Sequence, residues 1–227
     1  MSRRGWSAAV VTAVAVLTAI SGAPAAVAAS ENRTVVIRNR VAGQVAQAVW
    51  TTCGTAAVGQ LCTETVVLAA DAKSRSEDYR DRTPVLQVFT FVYRVVEGDD
   101  GEPSTLLVAE WFGRLEGADV QGRPRLERTL ASGLLPVQVC NVDPDAGLSC
   151  PTVLDVSVAW AGQGPLERVA EHVVSHEQFR IVNTWTRGWH RAATATATIN
   201  GASPGTQVSA DLFRIDQGEV VVQHPVG

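Results

Sequence analysis

VQVCNVDPDAGLSCPTVLDVSVAWAG, residues 137–162, is the stretch from which the fold is read. A strand-like run reaches Cys140, a loop of turn-forming residues follows, and beyond Cys150 the chain alternates so that Leu154, Val156, Val158 and Trp160 face together. Period-two alternation marks a strand with one buried face. The same plan occurs upstream as VWTTCGTAAVGQLCTETVVLAADAK, residues 49–73, with Cys53 and Cys62 bracketing the loop.

Working outward, the likeness extends past the cysteines. Ala109-Glu110-Trp111-Phe112 falls opposite Ala210-Asp211-Leu212-Phe213, and Gly117-Ala118-Asp119-Val120 opposite Gly218-Glu219-Val220. The second copy carries extra residues between Gly164 and Arg191. This reads as a tandem duplication, about 34–120 and 121–222, within one domain of residues 30–227. Four or five strands per half rarely bury enough surface to stand alone, so the halves are expected to share one antiparallel β-sandwich or flattened barrel, with two small sandwiches in series as the alternative.

Elsewhere Val, Thr, Ile and aromatic runs are broken by Gly, Pro, Asp and Asn, which predicts an all-β chain. Residues 34–38 read as a short first strand and KSRSEDYRDR, residues 73–82, as a polar loop. PVLQVFTFVYRVV, residues 84–96, turns into TLLVAEWFGRL as a long hairpin, and residues 191–200 and 207–215 form another across NGASPG. The combination of tryptophan, cysteine loop and alternating Thr/Val strand resembles small secreted β proteins of actinobacteria. That resemblance implies no activity.

The first 29 residues have a basic start at Arg3 and Arg4, an apolar run from Ala8 to Ile20 and a small-residue exit at Ala26-Val27-Ala28-Ala29, the anatomy of a signal peptide. Secretion and an extracellular location follow as expectations, with no membrane insertion after cleavage. All four cysteines lie beyond the leader, an even count that favours disulfides in an exported chain. Three pairings are open. Cys53–Cys62 and Cys140–Cys150 are expected, because each pair brackets a turn between strands, and each contributes roughly 2 to 3 kcal/mol in the chain-entropy account.

The 227-residue chain has 19 Lys and Arg against 23 Asp and Glu, and losing Arg3 and Arg4 makes it still more acidic, which argues against nucleic acid as a partner. Lys73 is the sole lysine, which together with the Ala and Val richness suggests a GC-rich genome.

Candidate sites follow from residue type and spacing. Trp185, Arg187, Trp189 and His190 form the densest aromatic and cationic cluster, beside the inserted segment; flat indoles stack on sugars or apolar ligands and Arg187 suits an anionic group. Asn141, Asp143 and Asp145 alternate as calcium ligands do, but the glycine and bidentate glutamate of an EF-hand loop are replaced by Ala146 and Thr152. Asp-Pro-Asp is also ordinary turn chemistry. His172 and His176 would share a helix face for zinc, yet Val173 stands where the metalloprotease motif needs Glu, and the segment reads equally as strand. Gly201-Ala202-Ser203-Pro204-Gly205 matches the nucleophile-elbow pattern, but Pro204 has no N–H to give an oxyanion. Thr194, Thr196 and Thr198 line one strand face without a repeat on neighbouring strands.

No cofactor motif is present. The functional expectation is a secreted, non-catalytic β protein that binds an extracellular protein, glycan or small ligand through residues 165–191. The alternatives are an extracellular hydrolase whose groups, among them Glu110, Asp211 or His190, converge only on folding, and a structural cell-envelope component.

Overall fold

The computed structural model describes residues 35–75, 80–98, 101–177 and 180–223. The expected signal peptide, residues 1–29, lies outside the described residues. Nine strands dominate: β1 (Val35–Thr51), β2 (Leu61–Arg75), β3 (Arg80–Glu97), β4 (Pro103–Glu116), β5 (Arg128–Val142), β6 (Val153–Gly162), β7 (Glu167–Glu177), β8 (Arg180–Ile199) and β9 (Thr206–Gln223). All neighbours are antiparallel, in the order β6-β5-β4-β3-β2-β1-β9-β8-β7.

A further pairing of β6 with β8 closes eight of these strands into a flattened ring and leaves β7 as an outrigger on β8. Closure depends on two strands that change partner midway. β5 pairs with β6 over residues 128–136 and with β4 over residues 137–142. Pro136 sits at the changeover, where its missing N–H costs least. β8 pairs with β9 and β7 in its first part and with β6 over residues 193–199. Such corner strands let a three-stranded layer fold back over the larger sheet.

The core lies between those layers. Leu154, Val156, Val158 and Trp160 of β6 are all fully buried, as their alternation predicts, against Ala46, Ala48 and Trp50 of β1, Val67 and Ala69 of β2, Leu86 and Val88 of β3 and Leu212 of β9. The Trp160 Nε1 donates to the carbonyl of Gln47 at 3.0 Å, tying the small layer to the middle of the large one. The opposite face of β1, β2 and β9 holds a second buried cluster, Val45, Leu68, Ala70, Phe213 and Ile215.

Disulfides join Cys53 to Cys62 and Cys140 to Cys150, each stapling the hairpin whose strands it brackets. Two expectations about strand limits are corrected. The short first strand is the start of a continuous 17-residue β1. The polar stretch 73–82 is not one loop, because β2 runs on to Arg75 and β3 begins at Arg80. His172 and His176 lie in β7, a strand rather than a helix, and both are exposed. Ser203 and Pro204 belong to the β8–β9 turn.

Candidate functional site: a cationic trough

The lower strands are longer than the layer above them. Past Ala46, Ala69, Leu86 and Leu212 their core-facing side continues with no upper strand over it, and the side chains there change from apolar to charged. Register shows how they assemble. One cross-strand row reads Arg82, Lys73, Ala42, Asp216, Arg187, Ala170 from β3 to β7, and the next reads Pro84, Asp71, Gln44, Arg214, Trp189, Arg168. Directly paired antiparallel residues project to the same face, so both rows line one surface.

These rows form an open trough of about 780 Å³, floored by Ala42, Gly43 and Gly188. It crosses six strands, roughly 24 Å at the usual strand spacing of about 4.8 Å. A Cβ at Gly188 would lie 2.0 Å from the Arg214 carbonyl oxygen, and one at Gly43 2.5 Å from the Ala72 Cα. Only glycine allows the neighbouring backbones to approach so closely at those two points.

Five cationic side chains line the trough, Lys73, Arg82, Arg168, Arg187 and Arg214, against two carboxylates, Asp71 and Asp216. Both carboxylates are already matched. Arg82 grips Asp71 through Nε and Nη2 at 2.9 and 2.8 Å, and Arg123 approaches it at 3.9 Å. Asp71 is 7% exposed, and the Arg82 fork holds its carboxyl below the ordinary carboxylate range against the opposing effect of burial. Arg40 grips Asp216 in the same bidentate way at 2.7 and 2.6 Å. Lys73, Arg168, Arg187 and Arg214 are exposed and have no side-chain ion pair or hydrogen bond among the described residues.

Of the four residues that sequence grouped here, the structure puts three on the trough side. Trp189 is 45% exposed and lines the trough with Arg187. Trp185 lies one row further and packs over Gly218, where a Cβ would come within 2.0 Å of the indole. His190 points to the opposite face. There its Nε2 meets Asp211 Oδ1 at 2.7 Å, its Nδ1 faces Glu167 Oε2 at 3.5 Å, and its ring packs on Phe213 at 5.0 Å between centroids. The Asp211 hydrogen bond raises its pKa, with a smaller contribution from Glu167 and burial opposing both. With a carboxylate facing each nitrogen, the imidazole clasps β7, β8 and β9 together and both of its nitrogens are engaged within the fold.

Glu110 is held apart from that clasp. It accepts a 2.9 Å hydrogen bond from Asn141 Nδ2 on β5, and four strand spacings, about 19 Å, separate β4 from β9. Asp143 accepts from the Asp145 backbone N–H at 3.0 Å and caps the turn Pro144–Ala146, so of the alternating side chains Asp143 serves the turn and Asn141 the neighbouring strand. Among the described residues no three His, Cys, Asp or Glu side chains gather as a metal site would require. Thr194, Thr196 and Thr198 are exposed on the outside of the small layer.

Sequence reasoning missed Lys73, Arg82, Arg168 and Arg214 as members of one surface. The density of Trp and Arg between residues 185 and 190 was the only local signal. No family model, no curated protein and no solved structure matches the chain.

Proposed function

We propose that this chain is an exported, non-catalytic β protein that binds an anionic extracellular partner in the trough. One observation carries the reading: four cations without a counter-charge share one trough with an exposed indole, in a chain whose formal net charge is −4. Against a net negative charge, a patch of one sign focuses the local potential and selects anions. Four of its lining residues, Arg168, Arg187, Gly188 and Trp189, come from the segment 164–191 that reads in the sequence as an insertion, a fitting place for a specialised surface. Export is supported by the leader-like first residues and by two disulfides, which persist in oxidising surroundings. No helix among the described residues is long and apolar enough to cross a membrane.

The test is retention of the leader-free protein on a sulfonate cation-exchange resin at neutral pH and low salt. The protein should be retained despite its net negative charge, and the triple variant Lys73→Ala, Arg187→Ala, Arg214→Ala should flow through. Free passage of the parent protein would overturn the reading.

A further inference from the structure

The floor of the trough is the face of a sheet, not its edge. β1, β9 and β8 are each hydrogen-bonded on both sides where they line it. An extended peptide docks on sheets mainly through main-chain bonds at an exposed edge, and this floor has no backbone group to give it. Contact falls entirely to side chains.

Those side chains are arranged around one ring. Trp189 stands directly opposite Arg168 on β7 and Arg214 on β9, with Arg187 two residues away on its own strand. Cross-strand pairs lie about 5 Å apart and next-nearest residues on a strand about 7 Å, so three arginines flank a single indole on the same face. Lys73 lies three strands from Arg187, about 14 Å away. Between them in the same row lie the small Ala42 and Asp216, whose carboxylate is held by the Arg40 fork.

A matching ligand has a ring with an apolar face for the indole, acid groups for planar forks, and repeated charge along an extended chain. It must also leave its remaining polar groups to water, since the trough is open. Single-stranded nucleic acid fits less well, because its bases stack on successive aromatic platforms, whereas Trp185 is packed over Gly218 and leaves Trp189 alone.

We propose that the trough binds an acidic glycan chain laid across the strands, one sugar ring on Trp189 with its acid groups on Arg168, Arg187 and Arg214, the chain continuing toward Lys73. This rests on the anionic-partner reading and names its chemistry.

Titration calorimetry of the leader-free protein separates the two. The probes are polygalacturonate, poly-L-glutamate of similar charge, and neutral dextran. Polygalacturonate should bind, weaken as salt rises, and be preferred over poly-L-glutamate, while dextran should not bind. Trp189→Ala should lower polygalacturonate affinity about tenfold and remove the preference, and Trp189→Phe should keep most of it. If poly-L-glutamate binds equally well and Trp189→Ala leaves both affinities unchanged, the glycan inference fails while an acidic protein partner stands. If neither polyanion binds the parent protein, both fail.

Discussion

Trp160 is the side chain whose removal should be felt most. It is 1% exposed, lies in the layer that closes the ring, and donates its indole N–H to Gln47 across the core. An indole buries about 200 Å², which at about 25 cal/mol per Å² amounts to roughly 5 kcal/mol. That is an upper value, since the unfolded chain already hides part of this area. Trp160→Ala should therefore cost about 3 to 5 kcal/mol, within the range of large aromatic truncations. Trp160→Phe keeps most of the ring but loses the hydrogen bond, worth about 1 kcal/mol, and leaves a small void, for a total of about 2 kcal/mol. Urea unfolding of both variants with disulfides intact, followed by far-ultraviolet circular dichroism, measures the two costs. Two results would refute the reasoning: a loss below about 1 kcal/mol for Trp160→Ala, or equal losses for the two variants.

Three further outcomes are expected. His190 has a folded pKa above its ordinary 6.5, so its clasp contributes fully below that value and is lost as pH rises through the raised one; His190→Gln should therefore lower the urea midpoint more at pH 5.5 than at pH 9. Replacing either cysteine pair by serines should cost roughly 2 to 3 kcal/mol, and non-reducing peptide mapping should recover Cys53 with Cys62 and Cys140 with Cys150. Gly218→Ala places a methyl against the Trp185 ring and should cost about 1 to 3 kcal/mol with a shift in tryptophan emission, whereas Gly147→Ala, whose Cβ meets open space, should leave the emission unchanged.

What was legible in the sequence was local. The disulfide hairpins could be read because each cysteine pair is 9 or 10 residues apart across a turn, and β6 because one of its faces is buried and the other exposed. β1 is harder to read at its full length because Val45, Ala46, Gln47 and Ala48 are buried in succession, and burial on both faces erases the period of two. Residues 73–75 and 80–82 read as loop because they are polar and mostly charged, although both lie in strands. On a strand that outruns its covering layer, charge is instead the natural lining of a solvated face, and Arg82 finds Asp71 across the hairpin. The trough was hidden for a different reason. Lys73, Arg168, Arg187 and Arg214 come from four strands, and only pairing register brings them together.

The position of β8 between β7 and β9 gives backbone amide exchange a particular signature. In an antiparallel ladder a strand's N–H groups point alternately to its two neighbours. Over residues 180–190 half of the β8 amides therefore face β9, inside the closed ring, and half face β7, a strand that is largely exposed and paired on one side only. Transient detachment of β7 frees the second set without disturbing the first. Fast and slow protons should then alternate residue by residue along this half of β8. Trp189 and Arg187 share one of these phases, so a ligand that bridges Arg168 to them should slow the fast set selectively and leave the other unchanged.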